Sequence, residues 1–128
     1  MKTRIYLAGG FKGGWHEVVT HKLGDKFQIF NPQKHNLDEV DKYTSWDLFH
    51  VKNCDIILGF MSEENPSGYG LALEIGYASA LNKLIILVDE KSKIDNQFKR
   101  YFSICHASSN VVLPSLDEAI DYIKTFEI

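Results

Sequence analysis

Little in this chain would let it serve as a metal centre, a disulfide scaffold, a membrane segment or a polyanion binder. Only two of its 128 residues are cysteine, Cys54 and Cys105. They lack metal-binding spacing and allow at most one disulfide. The five histidines at 16, 21, 35, 50 and 106 form no His-x-His or His-x-x-x-His pair, so no metal site is expected. Basic residues are scattered apart from Lys99-Arg100, and the net charge is −3. A nucleic-acid groove needs clustered Lys and Arg, so that partner is not expected. No apolar run approaches the roughly 20 residues of a membrane span, which excludes a membrane partner of that kind. The opening segment MKTRIYLAGG is too short in apolar residues for a secretory leader and runs straight into a strand. Reduced thiols in the cytoplasm are therefore expected. Repeats, low-complexity stretches and linkers are absent. With 45% hydrophobic and 24% charged residues, residues 1–128 are expected to form one globular domain with a real core.

What is present alternates strand with helix. Arg4–Ala8 (RIYLA) reads as a strand followed by the glycine turn GGFKGG, and Trp15 to about Leu23 as a helix. Phe27–Phe30 (FQIF) is a second strand closed by Asn31-Pro32, and residues 33–43 read as a polar loop. Thr44 or Ser45 is a good N-cap for a helix through Asn53. Asp55–Phe60 is a third strand. A turn at Pro66, Gly68 and Gly70 opens a helix to about Leu81. Leu84–Val88 (LIILV) is apolar enough to be a strand buried on both faces. Phe98–Cys105 is expected to be helical and Asn110–Leu113 to be a fifth strand. Ser115-Leu116-Asp117-Glu118 fits a capping box for a last helix to about Phe126. This pattern predicts an α/β fold: a flavodoxin-like or Rossmann-like three-layer domain with a five-stranded parallel sheet in the order 2-1-3-4-5. In that order the ligand crevice lies between strands 1 and 3, beyond their carboxyl ends. The loops there are Gly9–Gly14 and Met61–Gly70, the two glycine-rich stretches of the chain.

Within the apolar run PSGYGLALEIGYASA stands one carboxylate, Glu74. On the first turns of a helix facing the crevice, it feels the positive end of the helix dipole and is expected to stay ionised. An ionised, partly dry carboxylate is a nucleophile; the alternative is a solvated or capping residue. The loop AGGFKGG is neither a Walker loop nor G-x-G-x-x-G in register. Its four glycines in six residues point to backbone brought close to a ligand, with Lys12 placed to meet an anion or solvent. Asp47 lies in the helix before strand 3, which delivers it to the same crevice unless it is a plain surface acid. Tyr6 lies near the carboxyl end of strand 1, and Trp15 and Trp46 lie beside crevice segments, where base stacking and core packing are both open.

The segments RIYLAGGFKGGW, WDLFHVKNCDIILGF and GYGLALEIGYASALNK together resemble the nucleoside 2-deoxyribosyltransferase family, which includes the 2′-deoxynucleoside 5′-monophosphate N-hydrolases. The most specific piece is Glu-Ile-Gly-Tyr-Ala at 74–78, with Asp47 at the matching distance before Cys54-Asp55. The resemblance implies that Glu74 attacks the anomeric carbon of deoxyribose and forms a glycosyl ester. It implies that Asp47 assists at the sugar and the departing base, and that Tyr6 orients the nucleophile. It places Gly9, Gly10, Phe11, Gly13, Gly14, Trp15, Ser67, Gly68 and Gly70 around the substrate, a nucleoside or nucleotide plus a free base. It also implies a homo-oligomer in which Ser103 enters a neighbouring subunit's site. No cofactor is expected.

The turn Asn65-Pro66-Ser67-Gly68 lacks the aspartate common in the transferases. Its serine looks more like the monophosphate hydrolases, as does Gly13-Gly14, whereas Gly10 replaces a serine of theirs. A second likeness is to the Pro-Gly-Gly-x-Gly-Thr-x-x-Glu motif of cytokinin-activating phosphoribohydrolases. Leu71 stands in the threonine's place, and their upstream glycine motif is missing. A non-catalytic nucleotide-binding module is the remaining reading on this fold. A flavodoxin-like electron carrier would want hydroxyls in the first loop, and AGGFKGG has none.

Overall fold

Strand parity decides what each layer of the molecule contains. The computed structural model describes residues 1–64 and 68–127. Its elements in chain order are β1 (Thr3–Gly9), α1 (Trp15–Leu23), β2 (Phe27–Phe30), α2 (Val40–Asn53), β3 (Ile56–Met61), α3 (Tyr69–Ala80) and β4 (Leu84–Asp89). They continue with α4 (Asn96–Tyr101), α5 (Ser103–Ser108), β5 (Val111–Leu113) and α6 (Leu116–Lys124). The five strands form one all-parallel sheet in the order β2-β1-β3-β4-β5. This is the three-layer α/β fold and the strand order that the sequence pattern implies.

Side chains alternate across the sheet, so each strand feeds two cores. Ile5 and Leu7 of β1, with Leu58, Ile86 and Val88, pack beneath Val19 and Leu23 of α1 and Ala119, Ile120 and Ile123 of α6. Tyr6 and Ala8, with Ile57, Met61, Ile85 and Leu87, pack against Val51 of α2, Leu71, Ile75 and Ala78 of α3, Phe98 and Cys105. A one-residue slip of β1 would move Tyr6 into the wrong layer. Cys54 and Cys105 are both free and buried. Among the described residues no helix is long and apolar enough to cross a membrane.

The elements differ from expectation in three places. Helix α2 begins at Val40, with Glu39 in the cap position. Thr44 and Ser45 are therefore inside the helix rather than capping it, and the Ser45 hydroxyl donates back to the Asp41 carbonyl at 2.8 Å. A hydroxyl residue can satisfy itself this way mid-helix, which hides the true start. The helix expected over 98–105 is two short ones, parted at Phe102. The first is capped by Asp95, which accepts from the Phe98 N–H at 3.0 Å. At α6 the Ser115 hydroxyl accepts from the Glu118 N–H at 3.2 Å and donates to the Glu118 carboxylate at 2.9 Å. The side chains thus pair with each other instead of completing the reciprocal backbone box. The turn residues Asn65, Pro66 and Ser67 lie outside the described residues.

Two glycines set the spacing around the sheet. A Cβ at Gly59 would stand 3.0 Å from Leu71 Cδ1 and 3.1 Å from Leu87 Cδ1, so the bare backbone lets α3 sit close to β3. At Gly9 φ is +148°, and a Cβ there would meet the Phe60 carbonyl oxygen at 2.6 Å. That clash is with backbone and has nowhere to relax. Gly9→Ala is expected to lower stability by roughly 2 kcal/mol or more, read as a lower urea midpoint. An unchanged midpoint would refute this account of the β1 turn.

Candidate active site

Two helices each bring an acid inward at a position that their own period reserves for the core. On α3 the buried residues are Leu71, Glu74, Ile75 and Ala78, the i, i+3, i+4, i+7 stripe of an amphipathic helix. Glu74 takes one of those apolar positions and is 9% exposed. Asp47, Val51 and Cys54 follow the same spacing from α2 into the β3 junction, with Val51 and Cys54 fully buried. Since α2 packs beside α3 and both pack on β1, the acids converge on the layer that holds Tyr6. The Tyr6 hydroxyl donates to Glu74 Oε2 at 2.5 Å.

These three residues line one cavity of about 260 Å³ with Leu7, Gly9, Gly10, Phe11, Pro32, Gly68, Gly70 and Leu71. It opens beyond the carboxyl ends of β1 and β3, at the topological switch point. The first loop forms one wall. Gly13 and Gly14 adopt left-handed φ values of 85° and 66°. The Trp15 indole N–H donates to the Gly10 carbonyl at 2.8 Å, and the Gln33 amide reaches the Phe11 carbonyl at 3.4 Å.

Burial dominates the electrostatics. It pushes the Glu74 carboxyl up to about 7; the Tyr6 hydrogen bond pulls the other way and nearby Asp47 adds to the rise. The expectation that the helix dipole keeps this group ionised is therefore corrected. Glu74 is the sixth residue of α3, past the first turn where the dipole acts, and desolvation wins. Asp47 is also raised by burial, against the opposing pull of His35, Tyr6 and His50. Tyr6 is held far above the ordinary phenol range by burial and then by Glu74, so it remains a donor.

Not every expected residue reaches this cavity. Gly9, Gly10, Phe11, Gly68 and Gly70 line it. Trp15 does not: it is buried in the α1 layer, 5.1 Å from Phe60 between ring centroids, and borders an adjoining cavity of about 290 Å³. Gly13 and Gly14 are exposed turn residues that shape the loop. Ser103 is exposed at the start of α5, its hydroxyl donating to the Arg100 carbonyl at 3.0 Å. Ser67 lies outside the described residues. Sequence reasoning missed Pro32 and the neighbouring His35. The Asn31-Pro32 turn was visible as the end of β2, and a strand beside β1 ends at the same crevice. Among the described residues no group of three or more His, Cys, Asp or Glu side chains is arranged to hold a metal.

A switch-point crevice holding a buried carboxylate, a second acid and a tyrosine marks a candidate active site on an α/β fold. The sequence profile of the family described as nucleoside 2-deoxyribosyltransferase like matches residues 2–92. The chain belongs to that family. Comparison with functionally curated proteins gives no match. Among solved structures, a conserved protein from Enterococcus faecalis V583 is similar at TM-score 0.74 and 16% identity, covering 98% of this chain and 99% of that one. The CMP N-glycosidase BcmB of Clostridium botulinum is similar at TM-score 0.65 and 25% identity, covering 96% and 99%. The 2-desoxiribosyltransferase of Leishmania mexicana is similar at 0.59 and 22%, covering 69% and 65%. The first and third of these show shared fold alone.

A buried carboxyl at about 7 has a stability consequence. Its folded-state pKa lies above the ordinary glutamate value of 4.5. The stability it contributes is full below that ordinary value and is lost as pH rises towards 7. The loss amounts to on the order of 3 kcal/mol once the group is ionised. Glu74→Gln should therefore melt above the wild type at pH 8, with the gap closing at pH 5. No gain at pH 8 would show that Glu74 is not held against a desolvation cost.

Proposed function

We propose that this protein cleaves the N-glycosidic bond of a 2′-deoxynucleoside or its 5′-monophosphate through a glutamyl-sugar intermediate. The observation that carries the reading is the Glu74 carboxylate, set inside an apolar helix stripe and hydrogen-bonded by Tyr6 at the wall of the switch-point cavity. In its ionised form Glu74 attacks the anomeric carbon. The C1′–N bond breaks with its electron pair leaving on the base, and Asp47 delivers a proton to that base. A carboxylate suits a transition state that is cationic at this carbon, because it first stabilises the charge and then captures it. Proton delivery to a leaving nitrogen is worth roughly 10²–10⁴-fold, and burial shifts the Asp47 pKa upward, the direction that suits a proton donor. Tyr6 fixes the attacking carboxylate while its other oxygen stays free.

Transfer of the captured sugar to a second base is the reaction that the family description supports. Hydrolysis is the second reading, favoured by the 25% identity to a CMP N-glycosidase across nearly the whole of both chains. The test is incubation with deoxyinosine plus free adenine and, separately, with deoxynucleoside monophosphates, following bases by chromatography. Base exchange supports transfer, and free base alone supports hydrolysis. No turnover of any substrate refutes the reading in favour of a binding module. Glu74→Ala is expected to lose more than about 10³-fold in turnover. The kcat/KM of the wild type should fall below pH about 7 as Glu74 takes up its proton. In Tyr6→Phe, removing the bond that lowers the Glu74 pKa should move this limb to higher pH, and a limb that stays put would contradict the assigned pairing.

The cytoplasmic homo-oligomer that the family likeness implies is part of this proposal. Tyr69 and Leu73 of α3, Tyr101 of α4 and Ile104 of α5 are large apolar side chains left exposed, and α3 and α5 pack against each other. Exposed apolar side chains on neighbouring helices fit a second copy. Ser103 lies beside Ile104 and away from its own cavity, as a residue donated to a partner's site would. The double variant Leu73→Glu, Ile104→Glu should run as a monomer in light scattering after size exclusion and lose activity. A wild type that is itself monomeric would refute this part.

A further inference from the structure

We infer that His35 is a positioning residue that makes Asp47 a better proton donor, an inference that rests on the proposed reaction. His35 follows the turn after β2 and is almost sealed, with only 9% of its side chain exposed. Its Nδ1 accepts the Leu37 backbone N–H at 2.9 Å. With that lone pair occupied, the neutral ring carries its proton on Nε2. Nε2 stands 3.5 Å from Oδ1 of Asp47. Trp46, with ring centroid 4.8 Å from that of His35, packs edge to face on it and fixes its plane.

The two oxygens of Asp47 are unequal. Oδ1 is buried from solvent with no hydrogen-bond partner closer than this long approach from His35. The side chain as a whole is 26% exposed and lines the cavity, so Oδ2 is the oxygen presented to a ligand. When Asp47 gives its proton to the departing base, the O–H bond at Oδ2 breaks and an N–H bond forms on the base. The new carboxylate then needs a donor on its sealed side, and the Nε2–H of His35 is in place to close from 3.5 Å as the charge develops. Apo sites commonly hold such bonds long. His50, three residues along α2, is the other imidazole near Asp47. Its ring packs at a tilt between Trp46 and Phe30, with centroids at 4.1 and 4.5 Å, and its Nδ1 is buried without a partner. Tyr6 and Glu74 complete the titratable surroundings. Of these groups, only His35 has its tautomer fixed by a backbone donor.

The test compares leaving groups. His35→Phe keeps a ring and removes the donor, and His35→Gln restores an amide N–H at similar reach. Each variant is assayed on the best deoxynucleoside or deoxynucleotide of the wild type and on the matching 4-nitrophenyl deoxyriboside, whose leaving group needs no proton. His35→Phe should lose about 10- to 100-fold in kcat on the natural base and about tenfold less than that on the nitrophenyl glycoside, with His35→Gln recovering most of the difference. Equal losses on both substrates mean that His35 is only structural, and no loss on either means that it plays no part; both overturn the inference while leaving the proposed reaction standing. A folded wild type inactive on every substrate overturns the reaction itself and this inference with it.

Discussion

The hydrogen bond from Tyr6 to Glu74, thrown across the gap between sheet and helix, is the contact on which the rest of the site depends. A carboxylate in an apolar layer is costly unless something opposite can pair with it. Tyr6 supplies the pairing, and several independent features have to agree for it to do so. The parity of β1 must send residue 6 to the α3 side. The period of α3 must send residue 74 to the sheet side. Gly59 must let the helix come close enough for the two to meet. The protein thus holds a group whose ionisation it resists, at the wall of the switch-point cavity.

Asp47 obeys the same logic from the neighbouring helix. Both acids occupy inward positions that hydrophobic residues would ordinarily fill, and both are raised in pKa chiefly by burial. Their partners differ. Glu74 has a phenol that gives one short hydrogen bond, whereas Asp47 has imidazoles at longer range and one oxygen turned to the cavity. Environments of different kinds around two carboxyl groups are how one site separates a nucleophile from a proton donor. The outer wall of the molecule is arranged with similar economy. Asp89, at the end of β4, accepts from the backbone N–H groups of Lys91 and Ser92, from the Ser92 hydroxyl and from His106 at 2.6 Å, tying α5 to the sheet. Burial works against its charge, but these bonds outweigh it and keep the carboxyl below its usual range.

The sheet order, the limits of β2 and α1 and the convergence of Tyr6, Asp47 and Glu74 were legible in the sequence because each rests on a strong period. LIILV can only be a strand covered on both faces, and the lone acid in GYGLALEIGYASA falls on the buried stripe of its helix. The start of α2 was hidden because Thr44 and Ser45 look like caps while sitting mid-helix. The break at Phe102 was hidden because aromatic residues continue across it. The ionisation of Glu74 was misread for want of a depth: a dipole argument needs to know how many residues separate the group from the helix end, and a desolvation argument needs to know what covers it. His35 was invisible as a site residue because its partner is twelve positions away across an irregular turn, where no period applies.

The central claim is that Glu74 becomes covalently bonded to the sugar. The direct measurement is mass spectrometry of the protein after reaction with a 2′-fluorinated deoxynucleoside or its monophosphate, chosen to slow breakdown of the ester, followed by peptide mapping. The account requires a mass increase of one fluorodeoxyribosyl group, or of its 5-phosphate when the monophosphate is used, on the peptide containing Glu74, absent from Glu74→Gln. Release of base with no adduct on that peptide, or an adduct on another residue, would contradict it.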